Sequence, residues 1–354
     1  MDNGGAASLA ESVSFSIDYI GKLPPEKALH FGRDEYTASE MSASLAQFHK
    51  FLLTSPDYKA IKEFVTAHFN VYAAPGSGPD GAAFFTGYYT PDVAASASPD
   101  ETFKYPLYGM PADLVTADLG LFREIYKGEK VTGRVEGGTL VPYYTRADID
   151  GAGALSGRGL ELAWCRDPVE LFFMQVQGSA VLSYPDGTTR HANYKGANGR
   201  QYRSIGKLLI DEGKADKDTM SMDLLKSYLR AHPDEAGSIL NYNESYVFFE
   251  LSDSGPYGSL GEPVTPMRTI ATDSSLYPPG ALVFIDTEIP DFYPGPTPIG
   301  WGRWTAFALN QDTGGAIKGP GRADIYFGYG DFGRLKAGHM KRAGRLYFLA
   351  GKRN

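Results

Sequence analysis

The feature that most narrows what this chain can fold into is a series of short β-like runs in its last hundred residues. ALVFIDT (281–287), WTAFALNQD (304–312), RADIYFGYG (322–330) and RLYFLAG (345–351) are apolar and aromatic, with Gly and Pro between them. Short strands punctuated by turn residues predict a small barrel or sandwich. A further strand signal, AFFTGYYTP at 83–91, lies far upstream. The stretch between is mixed. Pro106, Pro111 and Pro142 break its first part into short pieces, and residues 222–229 carry Leu224, Leu225, Tyr228 and Leu229 at helical spacing. β-like segments that bracket a mixed middle predict one domain inserted into another, and 354 residues exceed the roughly 250 at which a single core stops growing. The expected division is 1–105 for N-terminal helices and the first part of the main domain, 106–245 for the insert, and 246–354 for the remainder of the main domain.

Upstream of the first strand, residues 39–54 read as a helix capped by Ser39, with Leu45, Phe48, Phe51 and Leu52 on one face. A second helix is expected over 56–69 with Ile61, Phe64 and Val65 inward, followed by a Gly/Pro-rich loop at 74–82. The formal charge of -8 argues against a phosphate backbone or an anionic lipid surface as partner, so nucleic-acid binding is not expected. The one cysteine, Cys165, excludes an internal disulfide, and it cannot serve as an N-terminal lipid anchor. No run reaches the roughly 18 apolar residues of a membrane span, and no export signal is visible at the start.

Several chemistries lack their residues. The six histidines form no HExxH and no i, i+4 pair, so no metal site and no cofactor are expected. There is no GxSxG elbow. GYGDFG at 328–333 matches a dinucleotide fingerprint in letters only, since too little chain follows for a βαβ unit, and it reads as a turn. What survives is a carboxylate segment, DTGGAIKGPGRADIYFG at 312–328, in which Asp312 and Asp324 flank a glycine-rich connection. Glycines there allow a backbone or ligand to come close. Spacing alone also fits two turn-forming aspartates.

Seven segments in order resolve that ambiguity: FTGYYTP (85–91), YPLYGMP (105–111), VPYYTRADID (141–150), LAWCRDPVELFFMQVQGSA (162–180), GRQYRSIGKLL (199–209), ATDSSLYPPGALVF (271–284) and the Asp312 segment. Together they resemble the membrane-bound lytic murein transglycosylase A family, from about residue 80 to the end. The resemblance implies a mainly β fold with some α: a double-psi β-barrel main domain, a second β-rich domain inserted into it, and a groove between them. It implies non-hydrolytic cleavage of the β-1,4 bond between N-acetylmuramic acid and N-acetylglucosamine in peptidoglycan glycan strands, leaving 1,6-anhydromuramyl ends. Its three-aspartate segment falls on Asp273, Asp312 and Asp324, with Asp324 catalytic, Asp312 a supporting acid and Asp273 structural. A monomer in the periplasm is implied, possible association with the outer membrane and with cell-wall synthesis or division proteins included.

That chemistry sets further expectations. One carboxyl suffices when the attacking hydroxyl belongs to the sugar itself, because it first gives a proton to the leaving oxygen and then takes one from the C6 hydroxyl. Asp324 then needs a pKa above the usual 3.9 or so, through burial or through the Asp312 charge. Lys318 is expected to point away from it or to bind substrate. For sugar binding, Thr86, Gly87 and Tyr88 are candidates, and Gln175, Gln177 and Ser179 in MQVQGS are expected on one face of a strand. The alternatives are a hydrolytic glycosidase using Asp312 and Asp324 as a pair, and a non-catalytic peptidoglycan-binding protein. Exo or endo preference and the need for stem peptides are not written in the motifs.

Overall fold

The computed structural model describes residues 5–76, 78–217, 219–292 and 295–353. Contacts divide the chain into two compact units, one formed by Thr90–Pro256 and the other by the segments on either side. The inserted unit thus begins ahead of the expected residue 106 and ends beyond 245. The reason is sheet membership: the strands Asp92–Ser96 and Val247–Ser252 both belong to its six-stranded sheet.

In the first unit the strands are β1 (Phe69–Ala73), β2 (Ala83–Thr90), β3 (Thr269–Thr272), β4 (Leu282–Asp291), β5 (Gly300–Asp312), β6 (Arg322–Tyr329) and β7 (Lys341–Gly351). They run in the order β4, β5, β3, β6, β2, β7, and β7 returns to pair with β4, closing a six-stranded barrel. β1 shares the edge of β7 that β2 also uses. β3 lies parallel to β5, with Thr269 opposite Leu309, and antiparallel to β6, with Ala271 opposite Asp324. Of the two forms that the spaced β-like runs predicted, barrel or sandwich, the chain takes the closed barrel, and Ile270, Val283, Ile285 and Ile325 are buried along its strands.

Three helices precede the barrel: α1 (Gly5–Gly21), α2 (Ala38–Leu52) and α3 (Tyr58–His68). α2 is capped by Thr37 rather than by Ser39. Thr37 and Glu40 form a reciprocal capping box, which satisfies two backbone donors at once. α1 had no helix signal drawn from it, yet it is tied into the barrel: the Gln311 amide donates to the Ser12 carbonyl and to Ser16 Oγ, and Ser12 Oγ donates back to Gln311 Oε1. The GYGDFG stretch is not a turn only. Its last residues open α4 (Gly330–His339), which returns the chain from β6 to β7.

The inserted unit has a six-stranded sheet around Val93, Ala95, Leu107, Ala163 and Leu182, and a helical layer around Phe172, Phe173, Leu209 and Leu229. The strand reading of MQVQG is overturned. Residues Pro168–Gln177 form a helix with Asp167 as N-cap, Pro168 in the first turn and Gly178 at φ 82 ending it. Pro at the start and a left-handed Gly at the stop are helix punctuation, and they outweigh an alternating run of five residues.

Candidate active site

Asp324 sits on β6 two residues after Arg322 and two before Tyr326, so the period of a strand places the three on one face. Its half-buried carboxyl accepts a hydrogen bond at Oδ1 from Thr86 Oγ1 at 2.7 Å. Burial lifts its pKa to about 6; the Asp312 charge adds to this, while the Thr86 hydrogen bond and the Arg322 charge oppose it. Arg322 is held nearby by its donation to the Phe84 carbonyl and by the Phe84 ring, 5.2 Å below its guanidinium.

Asp312 ends β5 and is bonded differently. Its Oδ1 accepts the backbone N–H groups of Ser259 at 2.9 Å and Thr313 at 2.8 Å, and its Oδ2 accepts the Tyr88 hydroxyl at 2.8 Å. Burial raises its pKa too, against those donors and the Ser259 side chain. The buried Tyr88 ring packs on Tyr326 at 5.0 Å, and burial together with Asp312 pushes its hydroxyl well above the ordinary range, so it is a donor at any working pH. Asp312 is a fixed acceptor. Asp324 is the less committed of the two.

Asp273 is buried and lies apart in role. It accepts Gly319 N–H at 2.9 Å and both Ser275 N–H and Oγ, pinning the loop 313–321 to the end of β3. Burial alone would raise its pKa, but these donors and Lys318 outweigh it and hold the carboxyl low. Lys318 Nζ is 3.9 Å from Asp273 and its side chain is 62% exposed. The charges that act on Asp324 are those of Arg322 and Asp312.

Two glycines make this arrangement possible. A Cβ on Gly87, between Thr86 and Tyr88, would meet the Phe327 ring at 2.5 Å and the Ala337 backbone at 2.9 Å. Gly321, at φ +63, donates its N–H to Tyr277 Oη, accepts Phe84 N–H, and would strike Gly76 with any side chain. Of the sugar-binding candidates in the inserted unit, Gln175 is buried with both amide atoms lacking a hydrogen-bond partner among the described residues, Ser179 is buried beside Thr90 Oγ1, and Gln177 is partly exposed at the end of its helix. Arg322, Tyr326 and Ser259 were not singled out from sequence. For the first two, the signal was their i±2 relation to Asp324; Ser259 contributes a backbone N–H, which no side-chain motif reveals.

Residues 84–250 match the model of the MltA specific insert domain, and residues 268–350 match that of the 3D domain. Membrane-bound lytic murein transglycosylase A of Vibrio cholerae is 32% identical over 346 residues, covering 94% of this chain and 84% of that protein. The chain belongs to the membrane-bound lytic murein transglycosylase A family. The Escherichia coli K12 member is also 32% identical, over 310 residues, covering 82% of this chain and 75% of its own. Among solved structures, the family member from Agrobacterium tumefaciens is similar with a TM-score of 0.80 at 28% identity, covering 98% of this chain and 92% of that one. E. coli MltA with bound chitohexaose is similar with a TM-score of 0.74 at 28% identity, covering 100% and 93%. The family is one of peptidoglycan-cleaving lytic transglycosylases, and this chain is an enzyme of that kind.

Proposed function

We propose that this enzyme cleaves the bond between N-acetylmuramic acid and N-acetylglucosamine without adding water, with Asp324 as the one acid and base. The observation that carries this reading is the unequal bonding of the two acids. Asp312 accepts hydrogen bonds from Ser259, Thr313 and Tyr88 at both of its oxygens, whereas Asp324 accepts one from Thr86, at Oδ1, and has a pKa of about 6. A protonated Asp324 can give its proton to the leaving glycosidic oxygen. The resulting carboxylate then takes the proton of the muramic C6 hydroxyl as that oxygen closes on C1. The proton count balances, and no second carboxylate is required.

A hydrolase using both acids would need Asp312 to attack C1 or to activate a water, each at its own separation from the acid. With both oxygens of Asp312 engaged by Ser259, Thr313 and Tyr88, that role is disfavoured. Its charge instead supports the proton on Asp324. Thr86 and Tyr88, with hydroxyls engaged by the two acids, are assigned to holding them; Gln177 and Lys318 remain as sugar contacts. The working site is the periplasm, where the substrate lies. Among the described residues no helix is long and apolar enough to cross a membrane.

Digestion of purified sacculi followed by mass spectrometry tests the chemistry directly. Products should end in anhydromuramic acid, lighter by one water than hydrolytic ends. Reducing ends in their place would establish the paired-acid hydrolase, and release of nothing, with retained sacculus binding, would establish the binder.

A further inference from the structure

β2 and β6 are neighbours in the barrel, and their side chains meet in three successive pairs along one face. The Phe84 ring lies 5.2 Å from the Arg322 guanidinium, Thr86 Oγ1 donates to Asp324 at 2.7 Å, and the Tyr88 ring packs on Tyr326 at 5.0 Å. Exposure falls along this row. Phe84 is 41% exposed, Arg322, Thr86 and Asp324 are half-buried, and Tyr88 and Tyr326 are buried. The row is open at the Phe84–Arg322 end and closed at the tyrosines, so a sugar seated at Asp324 has Arg322 as its neighbour on the open side.

Arg322 is under-used. Its Nη1 donates to the carbonyls of Phe84 at 3.4 Å and Ala323 at 3.3 Å, both long for an N–H···O bond. Among the described residues it forms no ion pair, and its Nε and Nη2 make no hydrogen bond. Burial disfavours its charge, and the Asp324 carboxylate is what opposes that. Yet the form of Asp324 that begins the reaction is protonated and neutral. In that form Arg322 is a half-buried cation without a counter-ion, a costly arrangement unless a ligand brings one. Nor does it help the acid keep its proton, since its charge draws Asp324 toward the carboxylate. A cation beside an acid that must stay protonated calls for another task.

A guanidinium with two free N–H directions matches a planar carboxylate. Muramic acid carries one: its lactyl group, at C3 of the ring whose C1 is cut, ends in a carboxyl. Successive pairs of the row are two residues apart, roughly 6.6 Å at the rise of a strand, so Asp324 at C1 and Arg322 at C3 can address one sugar. In strands that carry stem peptides this carboxyl is tied up as a neutral amide; in strands stripped of them it is an anion. We propose that Arg322 is a specificity-determining residue that pairs with the free lactyl carboxylate of the muramic acid being cut, so that the enzyme prefers glycan stripped of its peptides. The assignment rests on the muramic acid reading above and deepens it by naming the form of the substrate.

Turnover of peptide-free strands by the whole enzyme tests this, against the same strands with their carboxyls converted to carboxamides by carbodiimide and ammonia. At about pH 5 Asp324 is largely protonated and an ordinary lactyl carboxyl is ionised. For wild type, kcat/KM should be about tenfold or more higher on the carboxylate strands, the worth of one charge-assisted pair. In Arg322→Gln that ratio should fall to near one, and in Arg322→Lys, which keeps the charge without the fork, it should lie between. Each ratio compares two substrates on one protein sample, so a variant that folds poorly still gives it. A wild-type ratio near one overturns the assignment, as does an Arg322→Gln ratio equal to that of wild type. The product ends are read in the same digests. Reducing ends with the ratios as expected would sink the one-acid mechanism and leave Arg322 in its role, whereas anhydro ends with equal ratios would do the reverse.

Discussion

At the residue scale, a protonated Asp324 is what the proposed chemistry consumes, so on that reading turnover should fall as pH rises through about 6. Asp324→Asn should lose most of its activity, by roughly 10²- to 10⁴-fold, because one group supplies both proton transfers. Sacculus pull-down should be unaffected, since asparagine keeps the size. Asp312→Asn removes the charge that helps hold the proton, so it should retain partial activity with the alkaline limb moved to lower pH. Turnover of sacculi from pH 4 to 8 checks both; a dead Asp312→Asn beside a tolerated Asp324→Asn would reverse the roles. Stability moves in the other sense. The folded-state pKa lies above the unfolded value of about 3.9, so Asp324 favours the fold fully below that value and loses the contribution as pH rises through about 6. Asp324→Asn should therefore be more stable than wild type at pH 8, by up to about 3 kcal/mol, and no more stable at pH 3.5. Denaturant melts at the two pH values decide it. The aspartates themselves were legible in the motif order. Which effect raises the pKa was not, because burial belongs to the packed barrel and no spacing encodes it.

At the level of elements, the site depends on strands lying closer together than side chains ordinarily allow. Gly87→Ala drives a methyl into the Phe327 ring and the Ala337 backbone. It should cost about 1–3 kcal/mol of stability and lower turnover by displacing Thr86 and Tyr88. Gly315→Ala, where a Cβ meets nothing within 4 Å, is the control and should change neither thermal midpoint nor rate. A Gly87→Ala enzyme with wild-type midpoint and rate would mean that the close approach is not needed. Element type was readable where the pattern was long: the β-like runs after 281 and the helix over 222–229 appear as β4 to β7 and Met222–Ala231. The reading of MQVQG failed because five alternating residues were weighed above the Asp167, Pro168 and Gly178 that bound a helix. The helix separates Gln175 and Gln177 around its axis and buries the first. α1 escaped notice since its partner, Gln311, lies 299 residues from Ser12.

At the scale of the whole molecule, an insertion was legible because β texture stops near 90 and resumes near 250, whereas its limits were set by two strands that pair with the insert's own sheet. Among the described residues no three His, Cys, Asp or Glu side chains are grouped as metal ligands. Activity should accordingly survive EDTA undiminished in a sacculus assay; a loss that zinc restores would contradict the one-acid scheme. The closure of the barrel sets an order in time. Ala83 pairs with Gly344 and Phe69 with Gly351, contacts between positions roughly 260 to 280 residues apart, and pairings of that separation form slowly. The sheet of the inserted unit needs none of them. Asp312 and Asp324 meet Tyr88 and Thr86 only when the first barrel strand is joined to the last ones, so a chain still being made carries every motif of a wall-cutting enzyme and cuts nothing. Competence requires pairings between strands far apart in sequence.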